Sequence, residues 1–297
     1  MKPVVTPLHP LFVAKITGVD LGRPIDEATQ RAIERAMDTY AVCVLPGQHL
    51  EDEELIAFSR LYGPLEVRTD IGRKSGAAGR TRRIAYREIF DISNLDDDGG
   101  IRGEQDPRSA IQQTTHLWHT DLAFRQVSAK WSMLHAKAIP PAGGDTEYAD
   151  TRAAYDALPD AMKRRLEGLI AEHSLWHSTA KRGGYVPTEE ERRSYPPARH
   201  KLVRRHPGSD RSALYIASYA SHIIGMPVAE GQALLAELIE FATQPQFVYR
   251  HKWHAGDLVI WDNRCTMHRA TPFAATDHVR DMRRTTIIER APDVLVG

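Results

Sequence analysis

Two histidines and one aspartate stand at spacings that could hold a metal ion. The segment LWHTD contains His119 and Asp121, and His268 lies far along the chain. Two histidines and one carboxylate form the ligand set of non-haem Fe(II) oxygenases. On a β-strand the side chains of His119 and Asp121 would leave the same face, so both could reach one ion while Thr120 points away. The pattern therefore predicts an iron site with positions left for an organic co-substrate and O2.

A single His-x-Asp is weak evidence in a chain with 14 histidines, because a surface or core histidine near an aspartate is a commoner arrangement. Here, however, the pattern occurs only once, and a second segment supports it. Residues 257–264 (DLVIWDNR) are typical of a buried strand that runs into a polar turn, which would bring His268 to the start of the next strand. The two segments together predict the metal site more firmly than either does alone.

The run 278–286, beyond His268, contains three arginines, at positions 280, 283 and 284. A guanidinium binds a carboxylate through two parallel hydrogen bonds and stays charged, so this cluster suits a dicarboxylate co-substrate. On a strand Arg280 and Arg284 share one face. Arg283 lies on the other, where a solvated basic edge strand is the simpler interpretation. Thr146, in the segment GGDTE, could offer its hydroxyl to the same co-substrate or be an ordinary threonine at a turn-to-strand junction.

The elements that must position these residues are mostly strands. Strand patterns occur at 41–45, 131–139, 146–149, 247–253, 257–261 and 285–289. Amphipathic helices are predicted at 26–39 and 52–62, with others inside a helical insertion at about 150–242. Short strands on both sides of a long helical insertion favour a β-sandwich or jelly roll with helices packed outside it.

Residues 68–115 combine basic and glycine-rich patches with the acidic turn DDDGG. An irregular stretch of this length is usually a functional loop or lid, or else disordered. We expect an active-site loop, with a solvated insertion as the alternative. Within it Lys74 or Arg73 could contact a substrate carboxylate, although a lysine in a long loop is more often solvated. Trp118, beside the first metal ligand, could line the pocket or serve packing alone.

The composition bears on partners and location. Lys plus Arg equals Asp plus Glu at 39 each, so net charge gives no support for binding to nucleic acid or a membrane surface. No stretch approaches the roughly 20 apolar residues of a membrane span, and no signal peptide is expected. The two cysteines, Cys43 and Cys265, cannot form a disulfide framework. We therefore expect a cytoplasmic protein without disulfides.

Several segments together resemble the Fe(II)/2-oxoglutarate dioxygenases of the TauD/TfdA family, over nearly the whole chain. The matching segments are PLHPLF (7–12), FSRLYGPL (58–65), DISN (91–94), LWHTD, GGDTE (143–147) and the block 247–268. The last is the most specific, because it combines the WDNR strand with the distal metal histidine. The resemblance implies a single domain over residues 1–297. Its fold would be mainly β with flanking helices, the double-stranded β-helix (jelly roll, cupin-like).

The resemblance also implies roles for individual residues. By it the two histidines and Asp121 bind Fe(II). Thr146 and Arg280 hold 2-oxoglutarate, with Arg280 on its distal carboxylate, and Arg284 meets the anionic group of the substrate. Residues 68–90 match the family least well, so Lys74, like Trp118, is a candidate for substrate contact by its position alone. Members of the family often form dimers or larger assemblies, so we also expect a homo-oligomer.

The activity implied is that of an enzyme that hydroxylates an anionic small molecule with Fe(II), 2-oxoglutarate and O2. The expected substrate is an aryloxyalkanoate resembling 2,4-dichlorophenoxyacetate, cleaved to a phenol and an oxo acid with release of succinate and CO2. One alternative keeps this chemistry but acts on a sulfonate such as taurine or on another small organic acid. Remoter alternatives are a Zn hydrolase at the same triad and a non-catalytic jelly-roll binding protein, which would have no need for an intact ligand set.

Overall fold

Most of the regular structure is β-sheet in the residues that the computed structural model describes, which are 2–68, 83–103, 106, 114–181 and 187–289. The strands are β1 (Val4–His9), β2 (Val13–Thr17), β3 (Val42–Leu45), β4 (Phe90–Asp91), β5 (Ala129–Ala138), β6 (Thr146–Asp150), β7 (Ile170–His173), β8 (Ala198–Lys201), β9 (Val203–Arg205), β10 (Ser212–Leu214), β11 (Ala220–Ile223), β12 (Val248–His251), β13 (Leu258–Asp262), β14 (Thr266–Ala270) and β15 (Asp281–Ile288). The helices are α1 (Glu27–Tyr40), α2 (Asp52–Arg60), α3 (Thr151–Ala157), α4 (Asp160–Leu166), α5 (Leu175–Ala180), α6 (Glu189–Ser194) and α7 (Val228–Ala242).

Two sheets form the body of the fold. The larger has seven strands in the order β1-β2-β3-β13-β5-β15-β4, and the smaller has three in the order β12-β6-β14. Apolar side chains from both sheets meet in one buried cluster, which includes Leu134 and Trp261 from the large sheet and Tyr148 from the small one. Sheets that cover each other in this way bury alternate residues of each strand. The jelly roll predicted from the sequence is confirmed.

Strand β13 lies at the centre of the large sheet, between β3 and β5. All five of its residues are buried, because helices cover one face and the small sheet covers the other. Leu258 and Ile260 pack with residues of α1 and α2, whereas Val259 and Trp261 pack toward the small sheet. A strand covered on both faces needs a continuous apolar run, which is the pattern recognised in DLVIWDNR. Its end delivers the WDNR turn to the small sheet.

Helices α1 and α2 begin within one residue of the positions predicted from the sequence. The Asp26 side chain caps α1 by accepting a hydrogen bond from the backbone N–H of Thr29, and Ile33 and Met37 form the buried face. Helix α2 begins with a capping box in which Glu51 and Glu54 each accept a hydrogen bond from the other's backbone N–H. Both helices cover the same face of the large sheet and so hold β13 and β5 in place.

The insertion at 150–242 contains helices α3 to α7 and also the short strands β7 to β11, which the sequence analysis did not predict. Each of these strands has only three or four residues, too few to show the alternation of apolar and polar residues that predicts a strand. Leucines of α7 form a second apolar core that also contains Ala149 of β6 and Met267 of β14. The insertion therefore packs on the outer face of the small sheet.

Much of the predicted loop at 68–115 lies outside the described residues, so its expected role at the active site stays a prediction. Among the described parts, Asp96 orders the acidic turn by accepting hydrogen bonds from the backbone N–H groups of Asp98 and Gly100. Strand β4 then pairs with β15 at the edge of the large sheet. None of the helices in the described part of the chain has the length and apolar character needed to cross a bilayer.

Candidate active site

The segment LWHTD meets strand β14 where the predicted metal ligands lie. The backbone of His119 exchanges two hydrogen bonds with that of His268, at 3.0 and 2.8 Å between N and O. This single bridge replaces the predicted strand but keeps its alternation, since the Thr120 hydroxyl points away to the carbonyl of Thr266. Asp121 follows in a turn, and one ligand atom from each of the three side chains lies within 4.8 Å of the others.

The three side chains converge without satisfying one another. His119 Nδ1 donates to the carbonyl of Leu117 at 2.8 Å, so in the neutral ring Nε2 carries no hydrogen and presents a lone pair. His268 Nε2 and Asp121 Oδ2 are 3.8 Å apart, too far for a hydrogen bond, and His268 Nδ1 has no partner among the described residues. All three residues are buried. Converging donor atoms that do not bond to one another fit a cation, and this nitrogen and oxygen donor set suits Fe(II).

Burial and nearby charge set the protonation that a metal needs. Burial lowers the pKa of His119 and takes that of His268 well below its ordinary value, so both imidazoles are neutral near pH 7. Burial by itself would raise the pKa of Asp121, but the Arg284 guanidinium and then the two histidines lower it to about 2. The site therefore presents two neutral imidazoles and one carboxylate, the forms in which these side chains bind metals.

A network around Asp121 holds its carboxylate in place. Ser132 donates to Oδ2 at 2.7 Å, and Arg284 donates to Oδ1 at 2.6 Å. The side-chain oxygen of Asn263 accepts from the Asp121 backbone N–H and from Trp261 Nε1, and its amide donates to Ser132. The sequence analysis missed Ser132, for which it had no signal. It singled out the WDNR turn but not the role of Asn263 in it.

Replacing Ser132 by alanine should weaken metal binding by about 10- to 100-fold, the usual effect of removing a group that orients a metal ligand. The reason is that Asp121 would lose one of its two side-chain hydrogen bonds and could rotate. Mn(II) titration of the purified variants measures the effect. Ser128→Ala is the matched control, because the Ser128 hydroxyl bonds to Glu289 instead. Equal Mn(II) affinity in the two variants would show that the Ser132 contact does not support the metal site.

Arg280 is a buried cation without an ion pair among the described residues. Its side chain is 4% exposed, and Nε donates to the carbonyl of Gly144 at 3.1 Å. Its backbone N–H donates to the side-chain oxygen of Asn94 at 2.8 Å, which fixes its position before β15. Burial lowers the pKa of Arg280 to about 10, although Tyr148 and Asp145 oppose this shift. A buried guanidinium that lacks a carboxylate partner is suited to bind an anion from outside the protein, because the anion would offset the cost of its burial.

The segment GGDTE approaches Arg280 closely. Gly144 has φ +67°, and a Cβ there would lie 3.2 Å from Cδ and Nε of Arg280, so a larger residue would crowd the guanidinium. Thr146, two residues on, begins β6. Its hydroxyl oxygen accepts from Trp253 Nε1 at 3.1 Å, which leaves its own hydrogen available to a ligand. Arg280 and Gly144 are thus in contact, and the predicted role of Arg280 and Thr146 in holding a carboxylate stays a prediction.

The two remaining arginines of the cluster point to opposite faces of β15. Arg284 faces the metal ligands, with its guanidinium carbon 5.0 Å from the centre of the Phe90 ring. Arg283 is not solvated as expected: it is 9% exposed and forms ion pairs with Asp281 and Asp52. The expectation failed because β15 is not an edge strand. Strand β4 pairs with it, and α2 packs against it.

The other two predicted substrate residues gain no structural support. Trp118 is packed in the apolar core beside Met267, and the guanidinium carbon of Arg269 lies 4.6 Å from its ring centre. Its proposed contact with substrate stays a prediction, since packing alone accounts for this position. Lys74 lies outside the described residues.

A second group of potential ligands, His206, Asp262 and Cys265, is better explained as a hydrogen-bonded scaffold. His206 Nδ1 accepts from the backbone N–H of Ser209, so its Nε2 carries the hydrogen that is donated to Asp262. The Asp262 carboxylate also accepts from Arg264 and from Trp131 Nε1. Burial raises the pKa of Cys265 well above its ordinary value, so the thiol keeps its proton. These atoms already satisfy one another.

Comparison with known proteins gives consistent matches along the chain. The family model described as taurine catabolism dioxygenase TauD, TfdA family matches residues 5–286. The alpha-ketoglutarate-dependent 2,4-dichlorophenoxyacetate dioxygenase of Cupriavidus pinatubonensis is 45% identical over 292 residues, covering 98% of this chain and 99% of that protein. The (S)-phenoxypropionate/alpha-ketoglutarate-dioxygenase of Sphingobium herbicidovorans is 38% identical over 280 residues, covering 92% of this chain and 90% of that protein.

A solved structure is similar over the same extent. The crystal structure of AAD-2 in complex with Mn(II) and N-oxalylglycine has a TM-score of 0.89 and 40% sequence identity, and the match covers 99% of each chain. The likeness therefore includes the insertion at 150–242 as well as the two sheets of the jelly roll.

Proposed function

The chain belongs to the taurine catabolism dioxygenase TauD, TfdA family and is an alpha-ketoglutarate-dependent dioxygenase; we propose that it hydroxylates aryloxyalkanoates. Its cofactor is Fe(II), and its co-substrates are 2-oxoglutarate (alpha-ketoglutarate) and O2. We assign the iron to His119, Asp121 and His268. Thr146 and Arg280 are assigned to 2-oxoglutarate. A Zn hydrolase or a non-catalytic binding protein would need no 2-oxoglutarate, so neither fits membership of this dioxygenase family.

The observation that carries the assignment of the co-substrate is the buried guanidinium of Arg280, which forms no ion pair with any residue that the structure describes. An anion beside a buried cation offsets the cost of its desolvation, and 2-oxoglutarate offers a carboxylate at each end. One carboxylate would accept from Arg280 and Thr146. The other end would then face the metal triad, on the same side of the jelly roll. N-oxalylglycine, which accompanies Mn(II) in AAD-2, is likewise a dicarboxylate.

The protein's own groups orient the reactants. Iron with its two co-substrates supplies the oxidation, in which one oxygen atom of O2 enters the substrate and the other enters succinate as CO2 leaves. Ser132 and Arg284 hold Asp121, and the hydrogen bond from His119 Nδ1 to Leu117 fixes that ring. Hydroxylation of an aryloxyalkanoate next to the ether oxygen gives a hemiacetal, which separates into a phenol and an oxo acid.

Arg284 supports an anionic substrate. Its partly buried guanidinium lies beside the metal triad, where it can donate two parallel hydrogen bonds to a carboxylate. Relatives that share 45% and 38% identity with this chain act on 2,4-dichlorophenoxyacetate and (S)-phenoxypropionate, both of which pair a carboxylate with an aryl ether. The same guanidinium could bind a sulfonate such as taurine or another small organic acid, which is therefore the second candidate.

The test of the substrate class is a panel assay of 2-oxoglutarate-dependent O2 uptake with Fe(II). The panel compares phenoxyacetate, both enantiomers of 2-phenoxypropionate, and taurine. We expect at least one aryloxy acid to stimulate O2 uptake more strongly than taurine does, with formation of phenol. Stimulation by taurine alone would favour the sulfonate. No stimulation by any of the four compounds would rule out both substrate classes.

We also propose that the protein is a cytoplasmic homo-oligomer. Both cysteines are free and buried, which suits a reducing compartment. Strand β1 forms one edge of the large sheet and exposes apolar side chains, with Val4 57% and Leu8 41% exposed. An exposed apolar edge is a natural surface for contact with a second copy. Light scattering of Val4→Lys beside the unchanged protein tests this: the substitution should lower the molar mass of the assembly.

A further inference from the structure

A row of side chains crosses the large sheet beneath the metal site and continues to Glu66. Trp261 on β13 stands opposite Ser132 on β5, and Ser132 stands opposite Thr286 on β15. On the far side of β15, Leu65 pairs with Ile287, and the Glu66 backbone N–H donates to the Thr286 carbonyl at 2.7 Å. Opposed residues of neighbouring strands project on one face. Glu66 and Thr286 therefore face the same side as Ser132, which binds Asp121.

Arg284 lies on that same face, two residues before Thr286. Three buried polar atoms occur there without a hydrogen-bond partner among the described residues: Oε2 of Glu66, Oγ1 of Thr286 and Nε of Arg284. Buried polar atoms are normally paired, so three of them on one face next to the reactive site indicate a polar ligand. Neither Glu66 nor Thr286 was identified from the sequence.

Burial and the charges around Glu66 determine whether its carboxyl group is protonated when such a ligand binds. The charges of Arg284, Asp121 and Arg125 all influence the pKa of its carboxyl group. The charge of Glu66 in turn helps to raise the pKa of the Tyr219 phenol, which lies in the segment before β11. Burial raises the pKa of Glu66 to about 7, with Asp121 acting in the same direction and the two arginines opposing it. A sizeable fraction of Glu66 is therefore a neutral carboxylic acid near pH 7, able to donate a hydrogen bond.

We propose that Glu66 and Thr286 complete the substrate site by donating hydrogen bonds to the carboxylate that Arg284 binds. This inference rests on the proposed function and names the groups that bind the carboxylate end of the substrate. A carboxylate has lone pairs for all three donors, and it accepts well from a carboxylic acid because the two groups have similar basicity. A sulfonate is much less basic and gains less from Glu66. The arrangement accordingly makes Glu66 a specificity-determining residue for carboxylates.

The pH dependence follows from the direction of the shift. As the pH rises through about 7, Glu66 loses its proton, the donor disappears, and a negative charge faces the substrate anion. The KM for the aryloxy acid should therefore rise above that pH, whereas the KM for 2-oxoglutarate, which is assigned to Arg280 and Thr146, should not follow the same curve. A residue with a purely structural role would change neither profile.

The experiment compares Glu66→Ala, Glu66→Gln and Thr286→Val with the unchanged protein, using phenoxyacetate and saturating Fe(II) and 2-oxoglutarate. Loss of a hydrogen bond to a charged group should raise the KM of Glu66→Ala about tenfold or more at pH 6.5, with kcat changed much less. Thr286→Val should show a smaller rise in KM. Glu66→Gln keeps a donor that does not titrate, so its KM should stay near the unchanged value and lose its rise above pH 7. Glu230→Gln, an exposed site on α7, is the control and should match the unchanged protein throughout.

The outcomes separate this inference from the proposed function. If the unchanged protein is stimulated by no aryloxy acid, the proposed function fails and this inference fails with it. If the unchanged protein turns over phenoxyacetate but Glu66→Ala keeps its KM within twofold and its pH profile, only the inference about Glu66 fails. If Glu66→Ala does not fold, Glu66→Gln decides: a KM that still rises above pH 7 contradicts the inference.

Discussion

Replacement of His119 by alanine should abolish 2-oxoglutarate-dependent O2 uptake, a larger loss than the ~10- to 100-fold expected for a group that only supports a metal ligand. The reason is the geometry of the triad, in which three buried ligand atoms within 4.8 Å of one another converge on one point. Without one imidazole the ion would keep two protein ligands. Succinate formation with phenoxyacetate, measured alongside Mn(II) titration, gives both activity and metal affinity.

The control for this prediction is His49→Ala, because His49 is exposed and far from the triad in sequence. It should retain the activity and metal affinity of the unchanged protein. The assignment of the metal ligands is wrong if His119→Ala still releases succinate at the unchanged rate. It is also wrong if His119→Ala binds Mn(II) as tightly as His49→Ala does.

Replacement of Arg280 by methionine should raise the KM for 2-oxoglutarate at least about 30-fold, equivalent to about 2 kcal/mol or more, because a desolvated charge pair would be broken. The same change should not destabilise the protein in the absence of 2-oxoglutarate. Arg280 is buried without an ion pair among the described residues, and methionine of similar volume removes an uncompensated charge. We therefore expect Tm to rise by a few degrees. Thermal unfolding and steady-state kinetics measure the two effects.

Two further variants show which property of Arg280 matters. Arg280→Lys keeps the charge but not the planar pair of donors, so its KM for 2-oxoglutarate should lie between those of the unchanged protein and Arg280→Met. Arg23→Met, at a site whose side chain is 83% exposed, should change neither KM nor Tm. An unchanged KM in Arg280→Met would exclude Arg280 as the 2-oxoglutarate ligand. A large fall in its Tm would show that the guanidinium is already stabilised within the protein.

The convergence of His119, Asp121 and His268 could be predicted because its signal is local. His119 and Asp121 lie two residues apart in a distinctive segment, and the buried run before WDNR announced the strand that precedes His268. Even so, the predicted strand at His119 is a single bridge to His268. The side chains still alternate as predicted, because a bridge imposes the same alternation as a strand. Helix α1 could also be predicted from the sequence, because its cap and its apolar face lie within one short segment.

Other features depend on pairing between distant parts of the chain, which no local pattern reports. Ser132 bonds to Asp121 only because β5 lies beside β13 in one particular register. Arg283 was expected in solvent, but β4 and α2, both far away in sequence, cover its strand. Glu66 reaches the site through a bridge between Leu65 and Ile287. In each case the sequence supplied the residue type and the tertiary structure supplied its neighbours.

The most direct test of the central claim is the stoichiometry of phenoxyacetate turnover, with Fe(II), 2-oxoglutarate and O2 each omitted in turn. We predict that the amounts of phenol formed, succinate formed and O2 consumed are equal. We also predict that no phenol forms when Fe(II), 2-oxoglutarate or O2 is omitted. Phenol released without O2 or without 2-oxoglutarate, or released when Zn(II) replaces Fe(II), would contradict the account and indicate a hydrolase at the same three ligands.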